Sequence, residues 1–257
     1  MKLEFIKMTA QGNDYIYIDK RKTVLNDLDI QDLVIRLSDR HFGIGSDGVV
    51  FLNESSDADL RMEMYNADGS RGKMCGSALR SVIYLLSLEK EQQEYSVATD
   101  SGLRKGWLVG DDGMVKVEMG KVMQYDQIED EDDYLFLIDV GNRHAVKIFD
   151  DISELDLLAE IQRQENFLED KAVNHEFVEI IGGDSINMQV YELGSGFTLA
   201  CGTGAVASAY TSRQEGQVVG DEIKVSMSGG EVMVSFESDE IYLTGKVKIV
   251  FRGIIEV

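Results

Sequence analysis

The chain has no proline, one tryptophan, three histidines and two cysteines among its 257 residues, whereas glycine occurs 25 times. Without proline, its turns must be made by glycine, asparagine and aspartate, which suit the backbone of tight turns. The two cysteines lie 126 residues apart and neither belongs to a C-x-x-C pair, so they do not form the disulfide framework of a small secreted protein. We therefore expect two free thiols and a cytoplasmic location.

Long apolar runs and an excess of basic residues are also absent. No segment approaches the ~18 uninterrupted apolar residues that a membrane span needs, and Lys2, Glu4 and Lys7 interrupt the start of the chain, where a secretory signal would lie. Acidic residues outnumber basic ones by 47 to 25, which gives a formal net charge of −22. Such a surface repels nucleic acid and anionic membranes, so neither is expected as a partner. An anionic substrate would have to be held by local donors.

The most informative feature that is present is an internal duplication with one cysteine in each copy. Residues 60–76 read L-R-M-E-M-Y-N-A-D-G-S-R-G-K-M-C-G, and residues 186–202 read I-N-M-Q-V-Y-E-L-G-S-G-F-T-L-A-C-G. A methionine, a tyrosine, the cysteine and the following glycine coincide at a constant offset of 126 residues. The duplication predicts a first half over residues 1–120, to which residues 247–257 return, and a second half over residues 121–246.

Alternating apolar residues predict many short strands and four helices. We expect strands at 3–8, 14–19, 49–52, 60–65, 115–119, 134–140, 145–149, 177–181, 186–191, 231–236, 241–244 and 247–255. Segments 29–38 and 154–164 have the pattern of amphipathic surface helices. Segments 75–88 and 201–213 are apolar or small on most faces, so they are expected to be central and buried. The acidic stretch 126–133 is interpreted as a solvated hinge between the halves.

Each cysteine stands at a strand-to-helix transition and is followed by small residues, as C-G-S-A at 75–78 and C-G-T-G at 201–204. The first residues of a helix present free backbone N–H groups and a partial positive charge. These lower the pKa of a thiol and can bind a carboxylate. Two such helix ends, aimed at each other, would hold one carboxylate between a thiolate and a thiol. One would remove a proton from the adjacent carbon and the other would return one on the far side, which inverts the stereocentre.

Other interpretations remain open at this point. Both cysteines could simply pack their helices, as most buried cysteines do. Cys201 could be the nucleophile of a thiol hydrolase with His144 as its base. The two thiols could instead form a bridge in a carboxylate-binding or redox-sensing module. Zinc binding is not expected, because no cluster of ligands accompanies either cysteine.

The motifs resemble those of the diaminopimelate epimerases, amino-acid isomerases that use two cysteines as paired bases. The likeness runs nearly end to end, through K-M-T-A-Q-G-N-D-Y at 7–15, R-H-F-G-I-G-S-D-G at 40–48, Y-N-A-D-G-S at 65–70, M-C-G at 74–76, G-N-x-H at 141–144, V-N at 173–174 and T-L-A-C-G-T-G-A at 198–205. It implies two pseudo-symmetric domains of one duplicated α/β (α+β) fold, each a mostly antiparallel sheet around a central helix, with the active site in the cleft between them. It also implies an amino acid as substrate, no cofactor and no metal, and it allows a homodimer.

The resemblance also implies roles for individual residues. It assigns the two bases to Cys75 and Cys201. The side chains expected to contact the polar groups of the substrate are Asn13, Asn66, Asn142, Asn174 and Glu192. The backbone N–H groups expected to bind the reacting carboxylate are those around Gly76, Ser77, Gly202 and Thr203. His144 and Arg143 are expected to support the site, whereas His175 is expected at the surface.

Four positions depart from the family's motifs. The Glu-Arg-Gly motif is E-L-G at 192–194, so Leu193 stands where an arginine would pair with the distal carboxylate of diaminopimelate. Phe197 replaces a glutamate, Ser77 an asparagine and Arg143 a proline. These changes leave the two bases intact and alter the residues that are expected to recognise the side chain of the substrate. Diaminopimelate is therefore the family's default substrate, histidine or another monoamino acid is the alternative, and Arg143 could restore the missing cation.

Overall fold

The computed structural model describes residues 1–23, 25, 28–72, 74–110, 112–130, 133–238 and 240–257. It divides the chain into two compact units. The first unit combines Met1–Glu118 with Gly245–Val257, and the second is Met119–Thr244. Both units consist mostly of strands, as the alternating pattern predicts.

The strands and helices follow one another in an order that repeats. In chain order they are β1 (Lys2–Ala10), β2 (Asn13–Asp19), α1 (Ile30–Ser38), β3 (Gly48–Asn53), β4 (Leu60–Asn66), β5 (Arg71–Gly72), α2 (Gly76–Glu89), β6 (Tyr95–Thr99), β7 (Gly102–Leu108), β8 (Met114–Gly120), β9 (Met123–Asp130), β10 (Asp133–Asp139), β11 (Arg143–Phe149), α3 (Leu157–Glu165), β12 (Asn174–Gly182), β13 (Ser185–Glu192), β14 (Gly196–Thr198), α4 (Gly202–Gln214), β15 (Glu222–Met227), β16 (Gly230–Glu237), β17 (Glu240–Lys246) and β18 (Lys248–Glu256).

The sheet of the first unit begins with the last strand of the chain. β18 pairs antiparallel with β1, and β1 with β2. β2 runs parallel to β3, which is antiparallel to β4. β4 then carries the short β5 and runs parallel to β6, and the antiparallel strands β7 and β8 complete the order.

The second unit repeats this order strand by strand. β9, β10 and β11 are successive antiparallel neighbours. β11 runs parallel to β12, which is antiparallel to β13. β13 carries the short β14 and runs parallel to β15, which is followed by antiparallel β16 and β17. The predicted fold class, a duplicated α/β fold with mostly antiparallel sheets, is therefore confirmed.

One helix in each unit forms the centre around which the strands pack. α2 packs against β1, β4, β6 and β7, and α4 packs against β10, β11, β12, β13, β15 and β16. Every residue of α4 from Gly202 to Ala209 is buried. Apart from Thr203 and Val206 this segment consists of glycine, alanine and serine, so strands can approach the helix on several sides. The predicted burial of both cysteine-headed helices is confirmed.

Two helices lie closer to the surface and begin at aspartate caps. The Asp29 side chain accepts hydrogen bonds from the N–H groups of Gln31 and Asp32 at the start of α1, and Asp156 accepts one from Ala159 in α3. Such caps satisfy N–H groups that have no partner within the helix. No helix within the described ranges has both the length and the apolar composition needed to cross a bilayer.

Two predictions are wrong. Residues 126–130 are not a hinge, because they belong to β9, which pairs with β10; residues 131 and 132 lie outside the described part. The side chains of β9 are mostly exposed, so the strand has no buried face that would show as an apolar alternation. His175 is not at the surface but 1% exposed, because β12 is covered on both sides and its Nδ1 lies 2.8 Å from Oε1 of Gln164 in α3.

Candidate active site

The two cysteines occupy equivalent backbone positions, each as the N-cap of a central helix. Cys75 has φ −137° and ψ 125° ahead of α2, and Cys201 has φ −133° and ψ 118° ahead of α4. Their carbonyl groups accept the first helical hydrogen bonds, from Leu79 and Ala205, at 2.9 Å in both cases. Neither helix has an acidic side chain in its first turn. The partial positive charge of each helix end therefore remains available to an external carboxylate.

Around Cys75, several of the predicted residues come together at the first turn of α2. The thiol is half-buried, and the Tyr15 hydroxyl lies 3.6 Å from its sulfur. Asn13 donates its amide to the Ser77 hydroxyl at 3.4 Å. Arg80 donates to the same hydroxyl and to the Gly76 carbonyl, both at 3.3 Å. The side chain of Ser77 thus links Asn13, at the start of β2, to the first turn of α2.

Asn66 is placed differently from the other predicted residues of the first unit. Its side chain is exposed and donates to the Ser70 hydroxyl at 3.0 Å. Its backbone N–H donates to the Ser70 carbonyl at 2.9 Å, and its carbonyl accepts from Gly69 at 3.0 Å. These contacts are those of a turn residue, and a role in substrate binding remains a prediction.

Cys201 differs from Cys75 in its surroundings. It is 4% exposed, and its sulfur lies 3.4 Å from both the Gly204 N–H group and the Thr203 hydroxyl. Burial raises the pKa of the Cys201 thiol well above its ordinary value, and the nearby carboxylates of Glu192 and Glu176 raise it further. These effects outweigh the hydrogen bonds with Thr203 and Gly204, so Cys201 is a neutral thiol at neutral pH.

A buried histidine–glutamate pair lies beside the N-terminus of α4. His144 is held on one side by Glu176, with Nδ1 and Oε1 2.6 Å apart, and on the other by Asn142, with Nε2 and Oδ1 3.2 Å apart. Burial raises the pKa of the Glu176 carboxyl, and the neighbouring His144 partly offsets this. Glu176 was not predicted from the sequence. The signal that could have found it is its spacing, because it lies two residues after Asn174 and shares that residue's face of β12.

The end of β13 carries the predicted acid, Glu192, and the residue after the strand, Leu193, is the substituted position of the Glu-Arg-Gly motif. The Thr198 hydroxyl donates to the carboxylate of Glu192. The backbone N–H group of Leu193 donates to Oδ1 of Asn174 at 3.0 Å. The Leu193 side chain is 57% exposed. The second unit therefore gathers Asn142, His144, Asn174, Glu192, Cys201, Gly202 and Thr203 near the first turn of α4, with an apolar side chain at the position of the missing arginine.

Phe197 lies on the other side of its strand from this group. It faces Tyr191 across the β13–β14 pair, with ring centroids 5.1 Å apart in an edge-on arrangement. Neighbouring side chains of a strand point to opposite faces, so Phe197 points away from the face that carries Thr198 and its partner Glu192. The structure thus gives no support to the interpretation that Phe197 reads the substrate.

Arg143 also has other partners than the predicted ones. Its guanidinium forms an ion pair with Asp170 and lies 5.6 Å from the ring of Tyr125. It is exposed, whereas its neighbour His144 on β11 is buried, as expected for alternate faces of a strand. Because its charge is matched by Asp170, the structure gives no support to Arg143 as a substitute for the missing arginine.

The hydrolase interpretation requires a base in contact with the sulfur of Cys201. In the described part of the chain, the two ring nitrogens of His144 are engaged by Glu176 and Asn142, and the sulfur contacts Thr203 and Gly204. Neither cysteine is part of a disulfide bond. The nucleophile–base contact that a thiol hydrolase uses is not among these contacts.

Comparisons with known proteins agree with this reading of the motifs. The family model described as "Diaminopimelate epimerase" matches residues 5–124 and 136–250. Curated relatives with that name include proteins of Leptospira biflexa (34% identical, 100% of both chains), Methanococcus maripaludis (36%, 99% of this chain and 100% of the relative) and Bacteroides thetaiotaomicron (35%, 99% and 98%). The family match and these relatives identify the chain as an isomerase, of the class of amino-acid racemases and epimerases that work without a cofactor. The chain belongs to the diaminopimelate epimerase family.

Solved structures with the same fold are more distant in sequence. A PhzF-family phenazine biosynthesis protein of Bacillus anthracis is 12% identical with a TM-score of 0.76, and all of both chains is covered. A hydroxyproline epimerase from Agrobacterium vitis is 16% identical with a TM-score of 0.71, over 99% of this chain and 92% of that one. At these identities the similarity concerns the fold alone.

Proposed function

We propose that the chain interconverts the stereoisomers of diaminopimelate by a two-base mechanism, with Cys75 and Cys201 acting on opposite faces of the α-carbon. The observation that carries the proposal is the equivalence of the two cysteines as N-caps of α2 and α4, with nearly the same backbone angles. Diaminopimelate is proposed as the substrate with the support of the curated relatives, which carry the name diaminopimelate epimerase at 34–36% identity over almost their full length. The proposed location is the cytoplasm, where thiols stay reduced.

The backbone N–H groups of the helix ends supply the electrostatic part of the mechanism. Those around Gly76, Ser77, Gly202 and Thr203 hold the α-carboxylate, whose charge grows when the α-proton leaves. Fixed donors that meet the developing charge lower the barrier without reorganisation in the reaction step. A cofactor is not needed to stabilise the carbanion in this scheme.

The two thiols divide the proton transfers between them. One must be ionised to remove the α-proton while the other is protonated to deliver one. Burial and two carboxylates keep Cys201 in the thiol form, so we assign the resting base to Cys75 and the resting acid to Cys201. After inversion the proton has moved onto Cys75 and Cys201 is ionised, which is the state that catalyses the reverse direction.

The remaining polar residues are assigned to binding the substrate. Glu192 is proposed to pair with the α-ammonium group, while Asn13, Asn66, Asn142 and Asn174 hydrogen-bond to the polar groups. His144, which contacts Glu176 and Asn142, keeps the turn that carries Asn142 in place. These roles are carried over from the match of the motifs and from the contacts described above.

The direct test is exchange of the α-hydrogen in deuterium oxide, followed by proton NMR. We expect the α-proton signal of LL- and meso-diaminopimelate to disappear with the wild-type protein, and exchange with inversion to be lost in both Cys75→Ala and Cys201→Ala. Absence of exchange with diaminopimelate and with every other amino acid would reject the isomerase mechanism at these cysteines.

A second candidate substrate is a monoamino acid such as histidine. The observation that favours it is Leu193, an apolar and exposed side chain where an arginine would bind a distal carboxylate. The same NMR assay, run with free histidine and a panel of monoamino acids, separates the two. A kcat/KM for one of these above that for diaminopimelate would assign the site to that substrate.

A further inference from the structure

Arg80 is a buried cation in the middle of the central helix of the first unit. It is 1% exposed and heads the largest fully buried side chains of the described residues. Arginine is seldom fully buried unless an anion accompanies it. The reason for its burial therefore has to be found among its neighbours.

The hydrogen bonds of the guanidinium are incomplete and none involves a carboxylate. Nε donates to the Gly76 carbonyl and Nη2 to the Ser77 hydroxyl, both at 3.3 Å. Nη1 is buried and has no hydrogen-bond partner among the described residues. Within the same residues, no aspartate or glutamate forms an ion pair with Arg80. The cation thus lies against the first turn of α2 with one donor unused and its charge unmatched.

Cys75 is the neighbouring group that can supply the missing negative charge. Burial lowers the pKa of Arg80 to about 10, and the charges of Cys75 and Tyr17 act against this. Burial also raises the pKa of the Tyr17 phenol strongly, so Tyr17 stays neutral. Tyr15, the other phenol near the thiol, lies 3.6 Å from the sulfur through its hydroxyl.

The charged groups on the strands that pack against α2 have other partners or are exposed. Lys2 and Glu4 of β1 are exposed, and Arg104 of β7 donates to the Leu103 carbonyl. The ion-paired groups are Lys7 with Asp14, Arg61 with Asp100, Glu63 with Lys20 and Arg71, and Lys105 with Glu94. These carboxylates are thus paired with other cations, and none of them balances the charge of Arg80.

The duplication shows that this arrangement belongs to one cysteine only. At the constant offset of 126 residues, the position of Arg80 is taken by Val206 in α4. Cys201 instead has the carboxylates of Glu192 and Glu176 as its charged neighbours. One thiol therefore stands beside a buried cation, and its counterpart stands beside carboxylates.

We propose that Arg80 is the resident counter-ion of the Cys75 thiolate, a positioning residue that makes Cys75 the base and leaves Cys201 the acid. The proposal rests on the proposed function, in which an ionised thiol must remove the α-proton. Arg80 acts through Cys75 and through the Ser77 hydroxyl, and it need not touch the substrate. Replacing it by a neutral residue leaves the thiolate without its counter-charge in a half-buried site.

The test measures how fast iodoacetamide alkylates Cys75 between pH 5 and pH 10, in the Cys201→Ala protein so that only one thiol reacts. We expect the alkylation rate to reach half of its maximum, the midpoint, at a pH below the ordinary thiol pKa of about 8.5. Adding Arg80→Met should raise the midpoint by about one unit, which slows alkylation by about tenfold at a pH below both midpoints. Arg80→Lys, which keeps a charge without the planar fork, should lie between them. Arg61→Met, which removes a half-buried arginine on β4 that pairs with Asp100, should leave the midpoint unchanged.

The same midpoint in the Arg80→Met protein and its parent, with matching circular dichroism, would overturn the proposal. If Arg80→Met does not fold, Arg80→Gln makes the same comparison with a polar side chain. A parent midpoint at or above about 8.5 overturns the proposal whatever the variants do. Alkylation needs no substrate, so it tests the counter-ion independently of the proposed function. A low, Arg80-dependent midpoint in a protein that exchanges no α-hydrogen would reject the proposed function but support Arg80 as the counter-ion of Cys75.

Discussion

Nδ1 of His144 lies 2.6 Å from Oε1 of Glu176, and neither side chain reaches solvent. The pair packs closely against the first turn of α4, because a Cβ atom added at Gly204 would lie only 2.7 Å from Oε1 of Glu176. Oε2 of Glu176 has no hydrogen-bond partner among the described residues. The absence of a side chain at position 204 thus lets a buried carboxylate approach the helix that Cys201 caps.

Gly204→Ala is expected to destabilise the protein and lower its activity. The added methyl group needs the space of Glu176, which is held by His144 and cannot move to solvent, and such overpacking typically costs about 1–3 kcal/mol. Urea denaturation gives the loss in unfolding free energy, and the NMR exchange assay gives the loss in rate. Gly183→Ala is the matched control, because its new Cβ would meet Val219 at an ordinary 3.6 Å. Equal behaviour of the two variants would contradict the close approach of Glu176.

The buried Cys201 thiol should make stability depend on pH in the alkaline range. Its pKa in the folded protein lies well above the ordinary thiol value, so the folded state favours the protonated thiol. The associated stability is present below about pH 9 and is lost as the pH rises further. The difference in unfolding free energy between wild type and Cys201→Ala should therefore be constant up to about pH 8 and then fall. Cys75→Ala, at the equivalent but half-buried position, is the control; the same alkaline fall in both differences would contradict the assignment.

Asp14→Asn is expected to cost far more stability than a surface charge change. Lys7 is 5% exposed and forms an ion pair with Asp14, which Arg40 also contacts at 2.7 Å. Burial lowers the pKa of Lys7 while Asp14 supports its charge. Removing one partner of a buried pair leaves an unmatched charge and costs about 3–5 kcal/mol. Asp32→Asn, in an exposed helical pair with Arg36, should cost under about 1 kcal/mol in the same urea titration. Similar losses would mean that the Lys7 pair is not structurally important.

Leu193→Arg tests the assignment of the substrate. A guanidinium at this position would supply the missing partner for the distal carboxylate of diaminopimelate. We expect kcat/KM for diaminopimelate to rise by about tenfold or more, equivalent to about 1.4 kcal/mol, with little change in Leu193→Met. A fall in kcat/KM for diaminopimelate, while a monoamino acid remains a good substrate of the wild type, would favour the second candidate.

Local sequence patterns predict the central helices and their cysteine N-caps. They do not predict which polar side chains are buried, because that depends on contacts between residues distant in sequence. The burial of α2 and α4 follows from their small and apolar residues, and the N-cap positions of the cysteines follow from the glycines after them. Among the strands that the pattern does not predict, β9 has mostly exposed side chains, whereas β6 and β15 do alternate between buried and more exposed positions. The burial of His175, Glu176 and Arg80 depends on partners from other elements or from the preceding turn. A pattern of hydropathy treats such charged side chains as surface residues.

Inversion by two opposed thiols is tested most directly by where deuterium appears early in the reaction. In deuterium oxide, one thiol takes the proton of the substrate and the other delivers a deuteron from solvent to the opposite face. The two-base mechanism with Cys75 and Cys201 predicts that, at a few per cent conversion, the product isomer carries deuterium while recovered substrate retains its α-proton. Deuterium entering recovered substrate as fast as product forms would show a single exchanging base and contradict the mechanism.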